Sequence, residues 1–450
     1  MKHIMIYIGL LTLSGCLLVP EKSLIAEKYS LASESSQLEK LSGWWKQLDD
    51  PFLNQLIAQA IQNSTNIADA KARIRETRAS MQQVNYTLAP VWNASLSEEH
   101  SGGNNLSETP RYNANLTSSW EMDLFGANQR SLEAAKYGLD AEKEDLRATT
   151  VALIGDIANS YIEVRRLQAQ ILLTHTNILA QKNMLHLANK KFSSGAISGL
   201  ELNNAIGQTA TIESKIPGLE AELSATIHRL SVLIGKKPLA LNQTIPPLRK
   251  IPEPQGPLPK NIPVNILSSR PDIRVAERRY AQSTAQIYQR QAELYPSLIG
   301  NLATNAAQTG DISWSFGPTL HIPIFQNKKG QAAIEIALAQ RDKSFIAYRS
   351  SILKALEEIE NALVFLKKDK TFSKKIGESV KAYTQSLKLA RNLYKSGKTS
   401  LLELLNAEES YSAAKEAYIN SRAALTKDYI ALMKALGGGW DGTMNINYRD

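Results

Sequence analysis

Cysteine occurs once in this 450-residue chain, at Cys16, so no disulfide forms within a monomer. Aromatic residues are scarce at 7%, whereas hydrophobic residues reach 43% and charged residues 21%. That balance excludes disorder and favours long helices over a thick globular core. The net charge is +9, but like charges do not gather in a block and no aromatic array stands beside the basic residues. Nucleic acid is therefore not an expected partner. His-Glu-x-x-His and Gly-x-Ser-x-Gly are both missing. Gly397-Lys398-Thr399 has the end of a phosphate loop, but Asn392 stands where the first glycine belongs. His175 and His186 have nothing nearby to complete a metal set. The expectation is a protein that is not an enzyme and holds no metal or cofactor. Proline, finally, is missing from residues 127–193 and 328–396. At about 1.5 Å per residue, each stretch can form a helix of about 100 Å.

The N-terminus carries an address. Lys2 and His3 precede an apolar run, Ile4 to Leu13, too short to span about 30 Å of hydrocarbon as a helix. It fits the core of a signal peptide covering 1–15. Leu13-Ser14-Gly15-Cys16 resembles a lipobox, which implies cleavage before Cys16 and a covalent lipid on it. Leu17 follows, where an Asp would retain such a lipoprotein at the inner membrane, so the outer membrane is expected. Residues 16–50 then read as a lipidated extended segment.

The rest is one unit written twice. Residues 188–205 and 390–407 agree at nine of eighteen positions, at an offset of 202. Ile157 and Asn159 match Ile359 and Asn361 at the same offset. The first unit spans 51–235 and the second 264–437, with a tail at 438–450. Each runs through a moderate helix, a proline (Pro90 or Pro296), two alternating segments, a very long helix, a glycine turn and a further helix. The connector 236–263 is rich in proline and reads as an extended linker packed on the helices. Val380, Tyr383, Leu387, Ala390 and Tyr394 keep coiled-coil spacing, as do Ile178, Gln181, Leu185, Ala188 and Phe192. Leu404, Ala407, Tyr411, Ala414, Tyr418 and Leu425 continue it beyond the second turn. The repeated words are thus the tips of two helical hairpins, at 194–200 and 396–402, turned at Gly195 and Gly397.

Four segments, at about 90–99, 111–125, 297–307 and 312–325, alternate with period two. Tyr112, Leu116, Trp120 and Met122 share one face of the second; Ile312, Trp314, Phe316 and Leu320 share one face of the fourth. The apolar face belongs either on a soluble core or against lipid. An open sheet edge is intolerable in lipid, and barrels need about eight strands or more. Four strands per chain therefore call for copies of the chain. Two, three or four copies all satisfy the count.

The whole mature chain resembles the outer-membrane efflux proteins of the TolC class, in the lipoprotein branch typified by OprM and NodT. The resemblance rests on the lipobox, Trp44-Trp45 with Asp50-Pro51, Trp120-Glu121-Met122-Asp123-Leu124-Phe125-Gly126, Ser269-Arg270-Pro271-Asp272-Ile273-Arg274 and Ala435-Leu436-Gly437-Gly438-Gly439-Trp440. It implies an α+β membrane protein with a homotrimeric architecture. Twelve strands would form one transmembrane β-barrel and the helices a hollow periplasmic coiled-coil barrel. It further implies a periplasmic adaptor, an inner-membrane resistance-nodulation-division pump, and passive export of drugs, toxic compounds or metal ions.

The resemblance also implies an iris-like gate at the tips, narrowed by acidic side chains on the second hairpin. The matching positions are Glu403 and Asn406, so an amide stands where relatives most often carry Asp. Three copies of Glu403 would make a negative constriction favouring cations. Tyr394 matches a gating tyrosine, and Glu201 with Asn204 are the first-hairpin counterparts. Gly195, Gly397, Lys398 and Ser400 mark the tips that would meet the adaptor, with Lys190, Lys191 and Lys395 beside them. Ser269-Arg270-Pro271-Asp272 reads as a helix start without chemistry. A type I protein secretion conduit and a lipid-tethered coiled coil without a pore are the rival readings.

Overall fold

The computed structural model describes residues 41–103, 106–247, 250–255, 269–307, 310–323 and 327–440. The signal sequence, Cys16, parts of the connector and most of the tail lie outside them. Each half builds helix, hairpin of strands, long helix and return helix. In the first half these are α1 (Pro51–Asn63), α2 (Thr65–Tyr86), β1 (Val91–Gly103), β2 (Leu106–Met122), α3 (Ala127–Ser193), α4 (Gly199–Glu213) and α5 (Lys215–Leu233). In the second they are α6 (Pro271–Ala292), β3 (Ser297–Ala307), β4 (Ile312–His321), α7 (Asn327–Lys395) and α8 (Leu401–Ala435). The two rods, α3 with 67 residues and α7 with 69, have the length the missing prolines allow.

Four expectations need correction. The first strand hairpin runs beyond 90–99 and 111–125 at its turn: His100 pairs with Pro110 and Ser101 with Thr109. Its ladder outlasts the apolar alternation by which the boundaries were read. At the other end β2 stops at Met122, because the Asp123 carboxylate leaves the sheet to accept from the backbone N–H groups of Asn128 and Gln129, at 3.1 and 2.8 Å. β4 likewise ends at His321, two residues before Pro323, which has no N–H to donate. The return helix of the first hairpin is broken at Ser214. Pro217 lacks the N–H that would reach the carbonyl of Glu213. The connector and the N-terminal segment are not wholly extended, since Pro238–Leu241 and Trp44–Leu48 form short 3₁₀ helices.

A waist core holds the halves together. Trp44 meets Tyr429 edge-on at 6.1 Å, and around them pack Leu53, Ile57, Ile154, Ile157, Leu432 and Leu436. The glycine run at 437–439 is what lets the segment after α8 close on Leu41 and this core. Gly439 N–H donates to the Leu41 carbonyl at 3.0 Å, and a Cβ on Gly438 would lie 2.9 Å from the Met433 carbonyl oxygen. Trp440 then lies over the Arg147 guanidinium at 4.0 Å.

Buried polar groups lock the waist. Asp50 caps α1 by accepting from Phe52 and Leu53 N–H, and its other oxygen accepts from the Tyr161 hydroxyl at 2.6 Å. Arg165, fully buried, donates to that hydroxyl and to the carbonyls of Pro246 and Pro247 at 3.2 and 3.1 Å, which ties the connector to α3. Arg270, at the start of α6, donates to the Ala435 carbonyl at 2.7 Å and to Asp272 and Glu358. The Arg-Pro-Asp motif is thus a helix start and also a clamp on the last turn of α8.

The strands form one antiparallel sheet ordered β1-β2-β3-β4. Trp314 and Phe316 are 72% and 77% exposed, so this sheet has no core of its own. Its outer edges, on β1 and β4, have no strand beside them among the described residues.

Candidate functional site

Both tips use the same backbone device. α3 and α7 end in Gly195 (φ +73°) and Gly397 (φ +72°), in the left-handed region where a Cβ is strained. Ala196 N–H donates to the Lys191 carbonyl and Lys398 N–H to the Leu393 carbonyl, each at 2.8 Å. These are equivalent bonds at the offset of the sequence repeat, and they complete a Schellman turn. Ser198 and Ser400 then cap the return helices, accepting from Glu201 and Glu403 N–H at 3.3 and 3.2 Å. The shared Ser-x-Leu-Glu-Leu is therefore a cap followed by one apolar turn.

The side chains on this common frame differ. Glu201 reaches back to the Ser198 N–H at 2.9 Å and closes a capping box. Glu403 instead takes the hydroxyl of Thr399, where the first tip has Ile197. Glu403 and Asn406 are both exposed, as are Lys190, Lys395 and Lys398. Tyr394 is 2% exposed and packs with Ala188, Ala205, Leu387, Leu401 and Leu404 in a small apolar cluster. That cluster draws from both hairpins, and the two alanines let the backbones approach. The Lys191 ammonium sits 3.9 Å from the Tyr394 ring centroid and donates to its carbonyl at 3.3 Å. Burial, then the nearby Glu201 carboxylate, pushes the Tyr394 hydroxyl above its usual pKa. The structure thus brings Lys191, Glu201 and Tyr394 together.

Sequence reading missed three features here. Arg391 on α7 donates to Glu408 on α8 at 3.1 and 3.2 Å, and no periodicity marks that pair. Burial raises the Glu408 pKa while Arg391 lowers it, with a net rise. Lys191 pins the two hairpins to one another, although it reads as one of several tip lysines. Leu200 and Leu402, 72% and 60% exposed, project from equivalent places on the two tips. Their identity at the repeat offset was the available signal.

A sheet with lipid-type exposure, two open edges and rods of about 100 Å beneath it defines one subunit of an oligomeric outer-membrane channel. The chain belongs to the outer membrane efflux protein family, whose model matches residues 56–236 and 262–438, one stretch in each repeat. It is 29% identical to Nodulation protein T of Rhizobium leguminosarum bv. trifolii, over 96% of both chains. It is 28% identical to the pyoverdine export outer membrane protein OpmQ of Pseudomonas aeruginosa, over 91% of this chain and 90% of that one. Among solved structures it resembles the outer-membrane channel OprN, with TM-score 0.83 and 30% identity over 89% of this chain and 93% of that one. The fold is that of the trimeric channels, four strands from each chain completing a shared barrel. The protein is an outer-membrane exit duct of an efflux system, with its helices in the periplasm.

Proposed function

We propose that the duct is gated at its periplasmic tips and that the second hairpin is the moving part. The carrying observation is the join between hairpins: one small apolar cluster with Tyr394 at its centre and one cation, Lys191, laid on it. The waist, by contrast, is fixed by Arg165, Arg270 and a large core. The tip join is the cheaper of the two to break, and opening there widens the mouth while the waist stays shut on itself. Glu403 and Asn406 line the mouth of the second hairpin, with Glu403 giving it negative charge. Cys16 carries the lipid anchor. Small molecules or ions cross passively, and selection among them belongs to an inner-membrane pump of the resistance-nodulation-division class.

A periplasmic adaptor meets the tips. Leu200 and Leu402 provide exposed apolar knobs there, and Lys398 stands beside the second. The test replaces Lys398 with a photo-crosslinking residue in living cells and identifies the adduct. An adaptor of a resistance-nodulation-division system is the expected product. A type I secretion adaptor would move the function to protein export, and no periplasmic adduct would remove the docking role of the tips.

A further inference from the structure

A groove of about 1310 Å³ lies where the sheet meets the helices, between the end of α2, the start of α3 and the end of α6. Its upper wall is apolar: Leu124 and Phe125 are 60% and 50% exposed, and Phe125 stacks on Tyr295 at 4.7 Å. The Trp120 indole donates to the Leu88 carbonyl at 3.1 Å, and Leu88 lines the groove. Trp120 shares its face of β2 with Tyr112, Leu116 and Met122, the face turned to lipid. The groove therefore continues the membrane surface just below the strands, at the level where aromatic side chains mark a bilayer interface.

Its lower wall is charged. Asp123 is spent on the α3 backbone, and Arg130 is paired with Glu133 at 2.7 Å while lying 5.3 Å from the Tyr288 ring centroid. Lys136 has no ion-pair partner among the described residues and is exposed. It stands about 14 Å below the start of α3 at about 1.5 Å per residue, and its stem can extend upward toward the apolar wall. An apolar wall above and, below it, a lysine unpaired among the described residues suit a phospholipid standing in the inner leaflet, acyl chains up and phosphate down.

We propose that this groove is a phospholipid site. The acyl chains lie over Leu124, Phe125 and Tyr295, and the phosphate rests on Lys136 beside the edge of Arg130. The site sits in the wall of a single chain, so each trimer carries three. A lipid seated there steadies the joint at which the sheet hands over to the rods.

The full-length trimer, reconstituted in vesicles of phosphatidylethanolamine and phosphatidylglycerol, carries p-benzoylphenylalanine at Phe125 or, as a control on the lipid face, at Leu116. Irradiation and mass spectrometry count phospholipid adducts. Lys136→Glu should lower the yield at 125 at least fivefold and leave the yield at 116 unchanged, which also reports intact insertion. Equal yields with and without Lys136→Glu would show ordinary boundary lipid and overturn the proposal. So would an adduct at 125 to residues 16–40 of the chain itself, which would make the groove the berth of its own N-terminal segment.

Discussion

The two hairpin tips share a backbone and differ in what holds them. Their glycine turns, serine caps and Leu-Glu-Leu turns superpose residue on residue at the offset of the repeat. The first tip is self-contained, with Glu201 closing its own capping box. The second buries Tyr394 against the first hairpin and binds Arg391 to Glu408 across its own two helices, while the first has Lys182 paired with Glu213 across its own. At the equivalent places the first hairpin has Phe192, Asn189 and Ile206. Phe192 is 46% exposed, whereas Tyr394 is buried. A duplicated frame whose copies are held by different breakable side-chain contacts suits the proposed gate. On the proposed gating, the same backbone serves a fixed post and a moving one.

The largest expected effect breaks those contacts. Lys191→Met removes the cation laid on Tyr394, and Arg391→Ala leaves Glu408 half-desolvated without its partner. Each should cost about 1–2 kcal/mol of the closed arrangement, below the about 3–5 of a fully buried pair because Arg391 is 42% exposed. That shifts the closed-to-open ratio by roughly tenfold in each variant. Single-channel recording of the reconstituted trimer should show open time rising in both. Asn189→Ala, the first-hairpin counterpart of the Arg391 change, should leave it unaltered. Equal behaviour of Arg391→Ala and Asn189→Ala would abolish the distinction between the tips.

Much of this molecule is legible in its sequence. The repeat, the rods, the four strands and the turning glycines all follow from periodicity and proline placement, which are local properties. What stayed hidden is contact made between distant segments. Arg165 sits among other charged residues of α3 and gives no sign that it is buried on Pro246 and Pro247. Arg270 reads as a residue before a helix, and only the fold brings the end of α8 to it. At the tips, Glu201 and Glu403 look identical in sequence. Their carboxylates part company because of the residue two before each capping pair's first helical turn, Ile197 in one and Thr399 in the other. Seam positions are less legible: Tyr383 is 41% exposed, since one chain covers only part of a seam that continues around the cylinder.

Higher on the same hairpin the repeats differ in charge. Asp369 on α7 and Asp428 on α8 replace Leu167 and Thr226 of the first repeat. Burial, then the neighbouring Asp369 carboxylate, pushes the Asp428 carboxyl up to about 7. An acid whose pKa is raised by folding favours the folded state most below its ordinary value, near 3.8, and that contribution is lost as the pH rises through about 7. Asp428→Asn should therefore raise the melting temperature at pH 8 by several degrees and leave it unchanged near pH 4. Glu163 supplies the opposite sign. Burial disfavours its charge, but hydrogen bonds from Arg166 and Lys427 outweigh that and draw it down to about 2, so its contribution is lost as the pH falls from about 4.5 toward 2. Melting curves of Asp428→Asn that track the parent at every pH would show that the second hairpin carries no strain at this level.

The smallest effect tests the cause of the difference at the caps. Thr399→Ile gives the second tip the residue of the first. Without the hydroxyl, the Glu403 carboxylate has the Ser400 N–H to turn to, as Glu201 does with Ser198. The backbone has the same shape at both tips, so the exchange asks only a side-chain rotation, within about 0.5 kcal/mol of the parent. Its readout is electrical. Drawing the carboxylate back onto the cap should weaken the cation preference of the pore by part of what Glu403→Gln removes, less than twofold. Ile197→Thr at the first tip should not change it. A selectivity that ignores both Thr399→Ile and Glu403→Gln would place the charge of the mouth elsewhere than Glu403, and the two glutamates would then be caps alike.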